Sequence, residues 1–111
     1  MASIFTKIIN REIEAEIVYE NDHVVAFKDV DPKAPVHVLI VPRTEIEGLN
    51  SLPEEGDHRH ILNAAKVVAE KMGVAEDGYR LVINQGENGG QSVPHLHAHI
   101  LGGRKLAWPP G

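Results

Sequence analysis

The chain contains no cysteine. That removes a disulfide framework and all thiol chemistry from consideration, and it fits a reducing compartment. It also lacks any long hydrophobic run. Nothing approaches the length of a membrane span, and the opening Met-Ala-Ser-Ile-Phe-Thr-Lys has no apolar core of the kind a secretory leader carries. There is no surplus of positive charge. Eleven Lys and Arg against sixteen Asp and Glu give a formal net charge of −5, with no Lys/Arg stripe, so a nucleic acid is excluded as the expected partner. Internal repeats, low-complexity segments and linkers are absent as well. A cytoplasmic protein, with no membrane and no nucleic acid among its partners, is the resulting expectation.

What remains is an ordinary globular composition, 42% hydrophobic and 24% charged, in 111 residues. That is enough for one domain, residues 1–111, and short enough that much apolar surface stays uncovered, a reason to expect association. Ser3 is placed to cap a short helix carrying Ile4, Phe5, Ile8 and Ile9. Ile17 to Glu20 and His23 to Lys28, separated by Asn21-Asp22, read as a hairpin. His37 to Val41 is a third strand, ended by Pro42. Ile61, Ala65, Val68 and Met72, with Leu62 and Ala69 widening the stripe, predict one long helix that stops at Gly73. Ser51-Leu52-Pro53-Glu54 offers a capping box ahead of it. Tyr79 to Asn84 predicts a fourth strand, Gln85 to Gln91 a Gly- and Asn-rich loop, and Leu96 to Leu101 a fifth strand closed by Gly102-Gly103. Too few helices separate the strands for a parallel sheet. The expected class is α+β, a five-stranded antiparallel sheet with one long and one short helix.

The stretch Gly-Gly-Gln-Ser-Val-Pro-His-Leu-His-Ala-His-Ile-Leu-Gly-Gly, residues 89–103, carries three histidines at every second position. On a strand, His95, His97 and His99 would share one face and Leu96, Ala98 and Ile100 the other. The apolar set belongs to a core, so the histidine face is left to solvent or a ligand. A histidine-rich solvated face is one reading. A metal site is a second, with His37 or a carboxylate completing it. Catalysis on phosphorus is the third. Neutral imidazole is both a nucleophile and an acid–base group near pH 7, and protonated neighbours would hold phosphoryl oxygens. The loop from Asn84 to Ser92 supports this reading. Its glycines let backbone N–H groups turn toward an anion, and Asn84 and Ser92 add side-chain donors. His23, His58 and His60 have no supporting context and read as surface residues.

His95-Leu96-His97-Ala98-His99-Ile100-Leu101 matches the histidine triad signature, in which histidines alternate with apolar residues. Ser3-Ile4-Phe5 to Ile9, Phe27-Lys28-Asp29-Val30, Ala34-Pro35-Val36-His37, Gly90-Gln91-Ser92-Val93, Gly102-Gly103-Arg104 and Trp108-Pro109-Pro110-Gly111 also resemble the Hint branch of the histidine triad (HIT) family. Pro94 departs from the aromatic residue of animal members, a change at the pocket rim. The resemblance implies a HIT-like fold, paired into a continuous sheet in a homodimer, and hydrolysis of purine nucleoside phosphoramidates to AMP. It implies His97 as nucleophile, with His99 and His37 beside the phosphate and His95 supporting the nucleophile. Ser92, Asn84, Gly90 and Gln91 would hold the phosphate or leaving group. Asp29 would hold the ribose, and Ile4, Phe5, Ile8, Phe27 and Val30 would line the base pocket. The tail, residues 104–111, would dock Trp108 near the partner's site. No cofactor or metal is called for, and no acidic cluster suited to Mg²⁺ is evident. The same triad would also serve a dinucleoside polyphosphate hydrolase or nucleotidyl transferase, against which Trp-Pro-Pro-Gly argues, or a purine nucleotide-binding scaffold.

Overall fold

The computed structural model describes residues 2–111. Three α-helical segments, α1 (Ile4–Ile9), α2 (His58–Lys71) and α3 (Gly86–Gly89), accompany five strands, β1 (Ile17–Glu20), β2 (Val24–Lys28), β3 (Val36–Pro42), β4 (Tyr79–Val82) and β5 (Ala98–Gly102). The strands form one antiparallel sheet in the order β1-β2-β3-β5-β4. The expected α+β class is therefore correct. Asn21 makes the first hairpin: its side-chain oxygen accepts from the backbone N–H groups of His23 and Val24, which turns the chain between β1 and β2.

Alternation along the strands splits the core in two. Val24 and Ala26, Val38 and Ile40, and Ala98 and Ile100 face α2, where Ile61, Ala64, Ala65 and Val68 meet them. Val25 and Phe27, with Leu39 and Val41, face the other way and are covered by Phe5 and Ile8 of α1. Full burial of a side chain such as Ile40 or Ile61 stabilises the fold by about 1.5–3 kcal/mol. Six residues of α1 cannot cover the second face. The part they leave open is where the histidines come out. Among the described residues no helix is long and apolar enough to cross a membrane.

Several boundaries differ from the sequence-based expectation. The capping box at Ser51 does not form. Leu52 precedes Pro53, which forces it extended (ψ 122°), and a separate 3₁₀ turn at Leu49–Ser51 ends there. The long helix starts instead after Asp57. Its buried stripe takes Ala64 and leaves Leu62 exposed, about 100° round the helix from Ile61. It does end at Gly73, whose φ of +76° favours glycine, while Val74 N–H reaches back to the Ala69 carbonyl. The strand Tyr79 to Asn84 stops at Val82, and the glycine loop after it contains the single turn α3.

Most consequential, β5 begins at Ala98 and not at Leu96. Pro94 has no N–H to give, and Leu96 N–H is taken by the Ile46 carbonyl, so the chain joins the sheet late. His95 and His97 thus lie on the approach to the strand and only His99 is on it.

Candidate active site

The three alternating histidines do not stand side by side in solvent. His95 and His97 are buried, and His99 is half-buried. The alternation itself persists: Leu96, Ala98 and Ile100 all enter the α2 core, while the imidazoles lie on the face shared with α1. Phe5 packs edge-on against His97 and His95, at 4.9 Å and 5.9 Å between ring centroids. His97 and His99 are 5.0 Å apart.

Hydrogen bonds fix the tautomer of each ring. His97 Nδ1 lies 2.7 Å from the carbonyl oxygen of His95. A carbonyl only accepts, so Nδ1 carries the proton and Nε2 keeps its lone pair. Among the described residues no group hydrogen-bonds that Nε2. Because no buried side-chain nitrogen or oxygen among the described residues lacks a partner, it is open to solvent. His95 has the opposite tautomer. Its Nε2–H donates to the Pro42 carbonyl at 3.0 Å, and its Nδ1 accepts from Ser3 Oγ at 2.7 Å. Burial holds His95 below the ordinary imidazole pKa, which keeps it neutral.

His37 and His99 form a second unit. They are diagonal neighbours across β3 and β5, since His37 pairs with Leu101 and His99 with Leu39. His37 Nδ1 accepts from the Lys33 backbone N–H at 3.0 Å. Its proton therefore resides on Nε2, which donates to His99 Nδ1 at 2.9 Å. His99 is left with its own proton on Nε2. Desolvation, with His97 and His37 close by, pushes His99 down to about 4, and burial also lowers His37. At neutral pH these rings are uncharged donors. The expectation of protonated neighbours is corrected by that burial.

Asp29 is drawn in by β2. Its backbone N–H donates to the His37 carbonyl, its Oδ1 accepts from Asp31 N–H, and its Oδ2 lies 3.4 Å from His37 Nε2. One ligand atom each from Asp29, His37 and His99 falls within 4.8 Å of the others. They are nevertheless poor metal ligands as arranged. A metal-bound histidine normally donates its other ring N–H outward, whereas His37 Nδ1 faces a donor.

The remaining expected residues divide. Ser92 is exposed, and Asn84 follows β4 on the side of His97, because Val82 pairs with His99. The N–H groups of Gly90 and Gln91 are not free for an anion: they close the α3 turn on the carbonyls of Glu87 and Gly86. The Gln91 side chain is also occupied. It accepts from Gly86 N–H and donates to the Glu47 and Val93 carbonyls, strapping the loop. Phe5, Ile8 and Phe27 are core, with only Phe5 in ring contact with the imidazoles. Ile4 and Val30 are exposed, Val30 at 96%. A cleft of about 450 Å³ along Gly73, Val74, Asp77 and Arg104 contains none of the histidines. Unpartnered ring nitrogens, and not volume, mark the site.

Sequence reasoning missed the support beneath His95. Glu45 accepts from Ser3 N–H at 2.8 Å and from the Thr6 hydroxyl at 2.5 Å, and these bonds hold its carboxyl down to about 2. Ser3 Oγ in turn accepts from Thr6 N–H while donating to His95. The partners are 92 residues apart in the chain, and the one local signal was the cap at Ser3.

Residues 10–106 match the family model of the HIT domain. The chain is 50% identical to the purine nucleoside phosphoramidase of Escherichia coli (strain K12), over 94% of this chain and 89% of the relative. It is also 50% identical to a 14 kDa zinc-binding protein of Zea mays, over 98% and 88%. The crystal structure of a HIT family hydrolase from Legionella pneumophila Philadelphia 1 superposes with a TM-score of 0.92 at 42% identity, covering 99% of this chain and 100% of that one.

Proposed function

This chain belongs to the HIT family, and from that premise we propose that it hydrolyses purine nucleoside phosphoramidates to AMP and an amine through a nucleotidyl-histidine on His97. The observation that carries the reading is the bare Nε2 of His97, aimed outward with its ring locked by the His95 carbonyl. A neutral imidazole in that tautomer needs no deprotonation before it attacks.

In the first step Nε2 bonds to the α-phosphorus as the phosphorus–nitrogen bond breaks, and the departing nitrogen takes a proton. The proton comes from water. His99 Nε2–H, the end of the Lys33–His37–His99 chain, is assigned to a phosphoryl oxygen, to which it donates a hydrogen bond while keeping its proton. In the second step water attacks the phosphorus and the bond to His97 breaks. AMP leaves, the proton released by the attacking water goes back to solvent and replaces the one the amine took, and His97 is left neutral with its proton on Nδ1. Ser92 and Asn84, whose side chains have no hydrogen-bond partner among the described residues, are assigned to the phosphate and leaving group. Asp29 Oδ2 is assigned to the ribose hydroxyls, because a carboxylate accepts from both. The apolar surface for the base is assigned to the exposed Ile4 and Val30, with Phe5, Phe27 and Ile8 as its floor. Gly90 and Gln91 act by shaping the loop.

Zinc, named in the maize relative, does not fit the Asp29–His37–His99 group. With Lys33 N–H directed at Nδ1, a metal on Nε2 would leave the His37 ring no position for its proton. No step is therefore routed through a metal.

The working unit is assigned as a two-fold dimer. β4 pairs with β5 only, so its outer edge is open to a second copy, which would extend the sheet. Trp108 is 80% exposed on a single chain, with Arg80 lying 5.8 Å over its ring and donating to the Ala107 carbonyl. A tail ending in two prolines cannot join the sheet interior. Docking on the partner near its histidines would give the tryptophan cover.

Trapping tests the central claim. Brief incubation with adenosine 5′-phosphoramidate followed by acid quench is expected to yield an adenylyl adduct mapping to His97 by mass spectrometry. An adduct elsewhere, or faster turnover of a diadenosine polyphosphate than of the phosphoramidate, would replace this reading.

A further inference from the structure

A second group of ligand-type side chains lies away from the hydrolytic centre, where the β1–β2 turn meets the first turn of α2. His23 follows the turn, His60 is the third residue of α2, and Asp57 is the residue that precedes it. One ligand atom from each lies within 4.8 Å of the others. The two imidazoles stack, with centroids 3.6 Å apart and planes 5° from parallel. Among the described residues none hydrogen-bonds to these three side chains. Asp57 does not cap the helix it precedes, and the hydrogen bonds near His23 involve its backbone alone.

We propose that His23, Asp57 and His60 form a divalent transition-metal site of the zinc class, separate from the triad. Two imidazole nitrogens and one carboxylate oxygen suit zinc, nickel or copper and not the oxygen-seeking calcium or magnesium. Bond lengths of about 2.0–2.1 Å in a tetrahedral site place ligand atoms about 3.4 Å apart, with water in the fourth position. His23 is exposed. Metal binding would require its ring to turn out of the stack, so that both lone pairs meet at one point.

The contrast with the triad is chemical. At His37 a backbone donor occupies the nitrogen that a metal-bound ring needs for its N–H. At His23 and His60 each ring keeps one nitrogen for the metal and one N–H for water. Binding would fasten the hairpin turn to α2, two elements otherwise joined through the sheet core. It would therefore stabilise the fold without touching the reaction.

The test uses the full chain, stripped with chelator, then titrated calorimetrically with zinc chloride and followed by thermal unfolding with and without zinc. One equivalent should bind and raise the melting temperature. His23→Gln and His60→Gln should each weaken binding at least about tenfold and abolish the zinc-dependent rise, with phosphoramidate turnover unchanged. His37→Gln with His99→Gln should leave both zinc effects in place. On the unmodified chain, zinc should shift the ring resonances of His23 and His60 in NMR spectra. Zinc binding that follows His37 and His99, that survives both His23→Gln and His60→Gln, or that fails to occur would overturn the proposal.

Discussion

The Nδ1 of His97 lies 2.7 Å from the carbonyl oxygen of His95, two residues earlier in the chain. This backbone contact sets the proton position on the ring that carries the proposed chemistry, and it needs no acidic residue to do so. His95 is itself pinned at both ring nitrogens, which steadies the carbonyl it presents.

Replacing the nucleophile should therefore separate chemistry from binding. His97→Gly or His97→Asn is expected to lower turnover by about 10³-fold or more, while AMP affinity changes by no more than one lost phosphate contact, about 1.5–3 kcal/mol. Steady-state kinetics with a phosphoramidate and calorimetry with AMP measure the two. Near-normal turnover in either variant would remove His97 from its role.

Activity should be independent of metal. The motive is the Lys33 N–H to His37 Nδ1 bond, which leaves that ring ill-suited to zinc. After dialysis against EDTA, kcat is expected to stay at its starting value. Loss of activity restored by zinc would reverse the assignment.

The pH dependence has a definite sign. His99 is held near 4 and His37 and His95 are also lowered, so between about 6.5 and 4 the unfolded chain binds protons that the folded chain refuses. Stability is then full above the ordinary imidazole pKa and is lost as pH falls through this window. Melting temperature should decline steadily from pH 7 to pH 4, and His99→Gln should flatten the curve. In NMR titration the His99 ring should still be neutral at pH 5.5.

Ser3→Ala removes a helix cap and the partner of a buried imidazole nitrogen in one change. The cap is worth about 0.5–2 kcal/mol and an unsatisfied buried acceptor costs about 1–3 kcal/mol. Denaturant unfolding is expected to register a destabilisation of about 2 kcal/mol. A variant indistinguishable from the parent would mean that Ser3 does not support His95.

Sedimentation should give a dimer, and deleting residues 108–111 should change the ranking among amine leaving groups more than AMP affinity. The tail would lie beside the leaving group and not the nucleophile. A monomer, or an unaltered ranking, would show the docking idea to be wrong.

The sequence by itself determined the strand pattern, the long helix and the antiparallel class, and it singled out the residues now proposed to carry the chemistry. These follow from local rules: alternation on strands, a 3.6-residue period on the helix, and an arrangement of histidines that packing has no cause to produce. It also placed Ser3 at a helix start, because capping depends on the next three residues. Only the tertiary structure decided what each histidine is. His95 and His97 leave the strand register because a distant carbonyl, that of Ile46, claims Leu96 N–H. His95 became a buried support because Pro42, Ser3 and Glu45 converge on it from three other segments. His99 is neutral because burial, which no local pattern reports, outweighs its ordinary tendency to ionise. His23, His58 and His60 read alike in the sequence, as surface histidines without context. The packing of a hairpin turn against a helix start stacked two of them beside Asp57 and left the third outside. Tautomers, charge states and such meetings depend on what long-range packing brings within about 3 Å, and residue order alone does not encode that.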